Sequence, residues 1–421
     1  MDKFVIHGGN KLQGEVAISG AKNESLALMP ATLLAQGNYT LYNTPELNDV
    51  YTMMKLLNHL GVVSEFRDNI LKLNTENIIS QDAPYEHVKK MRASVYVLGP
   101  LLARYGIAKV SLPGGCSWGP RPINLHLEGL KKLGAEIELK GGYIIAKARR
   151  LKGTKISFDI SSVGATGNIL MAAVLAKGET TIINAAIEPE ITNLAHLLQK
   201  MGARIEGIGT PNLIINGKDS LNSANIDTIP DRIEAGTILI ATALTRGKVK
   251  LNNINSNLLL SILNKLETSG CSLFYNNEFI ELDGVNNNIK PIDVTTSVFP
   301  GFPTDMQAQW TAYMSLAGGV SSVTDSIYLD RFKHVPELQR LGADIVINEN
   351  CAVIKGVKKL MGAKVMSTDL RASACLVLAG LAAEGTTEVL RVYHLDRGYQ
   401  RIEEKLRCLG ADIERVEGKE F

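Results

Sequence analysis

Four stretches of the chain are apolar on nearly every side: SLALMPATLLA from Ser25, NILMAAVLA from Asn168, AGTILIATAL from Ala235 and SACLVLAGLAA from Ser373. A helix without a polar face is buried all round. Each of these predicts an interior helix. Other stretches, such as LHLEGLKKLG and RIEEKLRCLG, read as helices that stop at a glycine and lead into strand-like residues such as AEIEL or ADIVI. Glycine after a helix, followed by a β pattern, is a stop signal.

Those stops recur. LGV, LGA, MGA, SGC, LGA and LGA place glycines at Gly61, Gly134, Gly202, Gly270, Gly342 and Gly410, with spacings of 73, 68, 68, 72 and 68 residues. A second series (LLAQG, LLARYG, VLAKG, ALTRG, SLAGG, LAAEG) ends at Gly37, Gly106, Gly178, Gly247, Gly319 and Gly385. It precedes the first series by 24, 28, 24, 23, 23 and 25 residues. Two series in register predict six copies of one unit of about 70 residues, each with two helices and several strands. Six units exceed one small core, so two lobes of three are expected, with interior helices covered by sheets.

Fourteen to sixteen residues before each second-series glycine stand polar or charged residues: Lys22 and Asn23, Arg92, Ser162 and Gly164, Asp231 and Arg232, Asp305, and Asp369 and Arg371. Ser and Asp there are ordinary caps. Lys22, Arg92, Arg232 and Arg371 are not, because a helix start disfavours cations. Together with the free N–H groups of helix starts they point to an anionic ligand, such as a phosphate.

Bulk properties narrow the class. The chain has 421 residues, 45% hydrophobic and 21% charged, with a net charge of +2. That balance supports no general nucleic-acid surface. No stretch is long enough to span a bilayer and the start has no signal-peptide core. Five scattered cysteines form no CxxC pair, so neither a disulfide framework nor a metal site is indicated, and a reducing cytoplasm is expected. The second unit has the longest spacing, and inside it lies LPGGCSWGPRP, residues 112–122. It reads as an inserted loop, a common seat of function. Arg121 lies five residues from Cys116, and a neighbouring cation favours a reactive thiolate. Cys271, Cys351, Cys375 and Cys408, in apolar or regular segments, read as inert.

PGGCSWGPRPINLHLEGLKKLGAEIE, GAKNESLALMPATLLA, SVGATGNILMAAVLA, PDRIEAGT, FPTDMQAQ, RFKHVPELQRLGA, DLRASACLVLAGLAAEGTTEV and YHLDRGYQRIEEKLRCLGADI resemble the UDP-N-acetylglucosamine 1-carboxyvinyltransferases, from residue 1 to about 417. The resemblance implies an α/β fold, a two-lobed inside-out α/β barrel. It also implies a lobe over 22–229 with the Cys116 loop, and a discontinuous lobe of 1–21 with 230–421, the active site lying in the cleft between them. The implied reaction joins phosphoenolpyruvate to the 3′-hydroxyl of UDP-N-acetylglucosamine, opens peptidoglycan precursor synthesis and needs no cofactor or metal. The partners are these two small molecules, with neither nucleic acid nor membrane, for a monomer or weak oligomer.

Carried over by position, Cys116 is the proton donor to the enolpyruvyl methylene, can hold a phospholactoyl adduct and is the thiol that fosfomycin alkylates. Lys22, Asn23, Arg121 and Arg397 surround phosphoenolpyruvate, and Lys22 and Arg397 join Cys116 and Asp305 in the catalytic set. Asp305 is the base beside the sugar hydroxyl. Arg92, Arg121, Pro122, Ile123, Asn124, Leu125, Ser162, Val163, Gly164, Asp305 and Ile327 contact the nucleotide sugar. Asp231, Arg232, Asp369 and Arg371 support the site. Asn124 replaces a common Asp, Ile160 and Ser161 stand at variable positions, and Trp118 is bulkier than the usual aliphatic residue. The rivals are a 3-phosphoshikimate 1-carboxyvinyltransferase, which lacks this cysteine loop, and a non-catalytic UDP-sugar-binding paralogue. A Rossmann oxidoreductase lacks its GxGxxG signature.

Overall fold

The six glycine stops build six identical helix ends. In the computed structural model, which describes residues 2–89, 91–112, 123–284 and 288–417, all six first-series glycines are left-handed, with φ between 93° and 112°. Each donates its N–H to the carbonyl three residues back. The next residue donates to a leucine five back: Val62 to Leu57, Ala135 to Leu130, Ala203 to Leu198, Cys271 to Leu266, Ala343 to Leu338 and Ala411 to Leu406. This paired pattern satisfies the last carbonyls of a helix and needs a residue without Cβ strain at its turn. The helices so ended are Asn48–Leu60, Asn124–Lys132, Pro189–Lys200, Leu260–Ser269, Val335–Arg340 and Ile402–Cys408.

The second series has a different task. The residue following the antiparallel neighbour of the strand after each interior helix donates its N–H to the second-series glycine carbonyl: Thr75 to Gly37, Ala148 to Gly106, Gly217 to Gly178, Gly284 to Gly247, Gly356 to Gly319 and Gly8 to Gly385. That bond locks the strand after the interior helix to its antiparallel neighbour, and so keeps the two series in register. Four of these glycines are left-handed; at Gly247 the preceding Arg246 takes the positive φ instead, and Gly319 is not left-handed.

The interior helices are Lys22–Ala31, Leu98–Tyr105, Val163–Ala173, Arg232–Leu244, Gln307–Met314 and Leu370–Ala382. In the second and fifth units a 3-10 turn, Arg92–Val97 or Thr304–Met306, leads into the helix. From Lys22 to Ala31 only Asn23 is exposed, and from Gln307 to Met314 every residue is buried.

The described residues form six four-stranded sheets of one design. An edge strand pairs in parallel with the strand after the interior helix, and that strand pairs antiparallel with one of two further antiparallel strands, which form a hairpin in the first five sheets. In the third unit these are Lys155–Ser157, Glu179–Ile183, then Asn212–Asn216 with Arg204–Glu206. Along the strand following each interior helix every second residue is buried, as at Tyr39 and Leu41 or Val249 and Leu251, so one sheet face covers the helices.

Three sheets borrow a strand from elsewhere in the chain. Asp2–His7 lies between Thr386–Leu390 and Asp412–Glu417 in the sixth sheet, Gln13–Ala17 edges the fourth beside Lys248–Asn252, and Ile226–Asp227 edges the first beside Asn38–Tyr42. The chain divides into two compact units, Gly20–Ile229 and Met1–Ser19 with Pro230–Phe421, each with its own apolar core. At the borders, equivalent buried carboxylates hold the backbone: Glu24 accepts from Ile229 N–H at 2.8 Å in one unit, and Glu234 from Ser19 N–H at 2.8 Å in the other. A side chain at Gly20 would place its Cβ 1.7 Å from the Asn43 carbonyl oxygen, so only glycine fits there.

The connections from strand to outer helix refine the expectation of a single inserted loop. They comprise residues 43–47, 112–123, 184–188, 253–259, 325–334 and 391–401. The second is longest, but the fifth and sixth are nearly as long and lead into short helices. Of the cysteines expected to be inert, Cys271 and Cys375 are buried, whereas Cys351 is half-buried and Cys408 exposed.

Candidate active site

In Gly20–Ile229, Lys22 opens its helix and pairs with Asp49 on the neighbouring helix at 2.8 Å, both side chains nearly buried. Asn23 beside it is exposed. Arg92 opens the 3-10 turn of the second unit and is half-buried. Ser162 caps the third interior helix, accepting from Ala165 N–H at 3.3 Å, with Val163 and Gly164 in the first turn. His126, on the helix opened by Asn124, joins these elements. A Cβ at Gly164 would lie 3.0 Å from its Nε2, and its Nδ1 meets the Asn168 amide at 3.0 Å. Burial, aided by the Arg92 charge, pushes the His126 pKa down to about 4, so the ring is neutral at pH 7. Tyr96 donates to the Val163 carbonyl at 3.3 Å, and burial first, then the Glu190 and Glu188 charges, push its pKa up. Ile123 and Leu125 are half-buried, Asn124 is exposed and makes no cap, and Ile160 is exposed. Cys116, Trp118, Arg121 and Pro122 lie outside the described residues.

In the other unit, three interior-helix starts converge. Asp231 caps one helix, accepting from Ile233 N–H at 2.8 Å, and Asp369 caps another, accepting from Arg371 N–H at 2.9 Å. Asp305 caps nothing. Its carboxylate takes Arg371 on one oxygen at 2.7 Å and Arg331 on the other at 2.9 Å. Burial alone would raise its pKa, but the two guanidiniums outweigh burial and hold it well below the usual carboxylate range. The Tyr399 hydroxyl ties this cluster to the helices, meeting Arg371 at 3.0 Å, Thr237 at 3.0 Å and Gln309 at 3.2 Å. Arg232 sits over the Phe299 ring at 5.5 Å. Ile327 lies in connection 325–334, and Arg397 ends the 3-10 turn Val392–Arg397 in connection 391–401.

These contacts alter the sequence argument for an anion. Asp49 and Asp305 answer the charges of Lys22 and Arg371 within the protein, so those two cations at helix starts require no ligand to explain them. What remains is a set of polar groups at helix starts held in position: Lys22 and Arg371 by carboxylates, Asp231 and Asp369 by backbone N–H groups.

Comparison with known proteins decides the family. The EPSP synthase (3-phosphoshikimate 1-carboxyvinyltransferase) family model matches residues 6–406. The UDP-N-acetylglucosamine 1-carboxyvinyltransferase of Chlorobium limicola is 57% identical over 424 residues, covering 100% of both chains. That of Chloroherpeton thalassium is 55% identical, covering 100% of this chain and 99% of its own. The chain belongs to the UDP-N-acetylglucosamine 1-carboxyvinyltransferases. The fold is that of enolpyruvyl transferases: NikO from Streptomyces tendae superposes with a TM-score of 0.90 at 24% identity, covering 99% of each chain. EPSP synthase from Acinetobacter baumannii gives 0.77 at 20% identity, covering 99% of this chain and 100% of its own. This is the expected inside-out α/β barrel architecture, and the chain is a transferase of 1-carboxyvinyl groups. Among the described residues no helix is long and apolar enough to cross a membrane.

Sequence reading missed Arg331, Tyr399 and His126 as members of this chemistry. The signal was present for Arg331: it stands, like Arg397 and Cys116, in one of the three long connections. Tyr399 shares that signal, standing in connection 391–401, but like His126 it is buried, and an isolated buried Tyr or His more often fills a core.

Proposed function

We infer that this protein transfers the enolpyruvyl group of phosphoenolpyruvate to the 3′-hydroxyl of UDP-N-acetylglucosamine and releases phosphate, the first committed step of peptidoglycan precursor synthesis. The observation that carries this reading is 57% identity to a transferase of that name along the whole of both chains.

The chemistry asks for the residue types present. Phosphoenolpyruvate carries roughly three negative charges near neutral pH, which fixed cations must balance. Lys22, Arg121 and Arg397 take that role, with Asn23 as a neutral hydrogen-bonding partner. Cys116 gives a proton to the methylene carbon, leaving a cationic centre at the adjacent carbon. The sugar hydroxyl adds there and loses its proton to Asp305. A carboxylate with a depressed pKa is ordinarily a weak base. Here the hydroxyl proton becomes strongly acidic as its oxygen bonds to the cationic carbon, so a strong base is unnecessary. Loss of the methyl proton and of phosphate then restores the double bond. A covalent phospholactoyl adduct on Cys116 is a second use of the same thiol.

Arg92, Arg121 to Leu125, Ser162 to Gly164 and Ile327 receive the nucleotide sugar, and Asp231, Arg232, Asp369 and Arg371 support it. Phosphate release should require phosphoenolpyruvate and UDP-N-acetylglucosamine together. A coupled phosphate assay with each acceptor checks this; release with shikimate 3-phosphate instead would overturn the substrate assignment.

A further inference from the structure

In the strand Asp412–Glu417, alternation turns Ile413 inward, and Arg415, two residues on, shares that face where an apolar residue is expected. Arg415 lies directly opposite Phe4, a fully buried residue, with its guanidinium 5.1 Å from the ring centre. Three carboxylates surround it. Nη2 and Nη1 hold the two Asp396 oxygens at 2.6 and 3.1 Å, Nε donates to Glu403 at 2.7 Å, and Nη1 also reaches Asp2 at 3.3 Å. An isolated exposed ion pair contributes little, but a two-pronged fork within a part-buried network fixes geometry.

Asp396 is the residue before Arg397. Connection 391–401 starts and ends with non-glycine residues in the left-handed region, Arg391 at φ 59° and Arg401 at φ 44°. Such a backbone persists only where its surroundings hold it. On the other side of Arg397, Gly398 is pressed against Leu370, where a Cβ would meet Cδ2 at 2.5 Å. Arg397 therefore stands between two anchored neighbours, Asp396 on the Arg415 fork and Gly398 on Leu370.

We propose that Arg415 is a positioning residue for Arg397, holding the 391–401 connection so that the Arg397 guanidinium is presented to phosphoenolpyruvate in one place. The proposal rests on the reading of Arg397 as a phosphoenolpyruvate-binding cation. Arg415 acts through Asp396 and touches no substrate.

The test is steady-state kinetics on full-length Arg415→Met, Arg415→Lys, Arg397→Ala and the Arg397→Ala/Arg415→Met double variant. Binding of UDP-N-acetylglucosamine alone is measured by calorimetry, and stability by thermal denaturation. Arg397→Ala should raise KM for phosphoenolpyruvate. Arg415→Met should raise the same KM about tenfold, the scale of a displaced binding group, while UDP-N-acetylglucosamine binding stays unchanged. Arg415→Lys should recover part of the loss, and the double variant should be no worse than Arg397→Ala alone.

If Arg397→Ala leaves KM for phosphoenolpyruvate unchanged, the reading of Arg397 falls and the proposal with it. If Arg397→Ala raises it but Arg415→Met does not, or if the two effects add in full, Arg415 is a structural clamp only and the positioning role is overturned. Should Arg415→Met not fold, Arg415→Lys and Asp396→Asn carry the same comparison.

Discussion

Asp305 concentrates the residue-scale physics of this protein. Its carboxylate divides its two oxygens between Arg331 and Arg371, whose own side chains are only 7% and 5% exposed. Replacing it removes the proposed base and also takes away the carboxylate that both guanidiniums share. Asp305→Asn keeps the shape and should lower turnover at least about a hundredfold, the scale of losing acid–base assistance. It should also destabilise the protein by about 2 kcal/mol, since hydrogen bonds to charged groups are strong and breaking a buried pair is costly. Turnover measured beside a melting curve separates the two effects. Near-normal turnover would remove Asp305 as the base. The sequence pointed to Asp305 through its register with other helix starts; it did not reveal that Asp305 is the one among them whose side chain turns to arginines instead of to backbone N–H groups.

At the scale of elements, the six helix ends explain why so much was legible. The leucine five residues before the bonded N–H and the left-handed glycine are local requirements, met within a single turn of chain. They are written into the sequence at each repeat. The connections after the strands were less legible: the second unit stood out in spacing, whereas the fifth and sixth connections, nearly as long, are offset by the short helices Val335–Arg340 and Ile402–Cys408.

Two glycine substitutions separate the two kinds of constraint. At Gly134 a Cβ meets nothing within 4 Å, so Gly134→Ala should cost only the left-handed backbone, about 1–2 kcal/mol. At Gly217 the φ is ordinary, but a Cβ would fall 1.7 Å from the Ala176 carbonyl oxygen. Gly217→Ala should therefore cost more, at or beyond roughly 3 kcal/mol, because backbone must move. Urea denaturation of the pair checks the order, and a reversed order would contradict it.

Over the whole molecule, buried neutral histidines tie stability to pH. Burial comes first and Arg331 second in pushing His334 down to about 3, while burial and then Arg92 bring His126 to about 4. Both lie below the usual value near 6.5. Between pH 6.5 and about 4 the unfolded chain therefore binds more protons than the native one, and stability falls as pH falls. Asp305 works in the same direction, but its contribution begins to be lost only as pH drops towards the ordinary carboxylate range. Melting temperature should decline from pH 7 to 5, and His126→Gln should flatten that decline. An unchanged slope would mean that His126 takes up its proton without unfolding.

What the sequence determined by itself is local or periodic: the six units, their interior and outer helices, their glycine stops, and the charged residues in register at the helix starts. These follow from side-chain spacing within a few turns of chain, which every residue carries wherever the chain goes. What only the tertiary structure decided is pairing across distance. Asp2–His7 completes a sheet with Asp412–Glu417, Ile226–Asp227 edges the sheet of Asn38–Tyr42, Asp49 answers Lys22, and Arg415 grips Asp396. Such partners are chosen by the free energy of burying a strand edge or a charge, and that energy depends on neighbours many residues away.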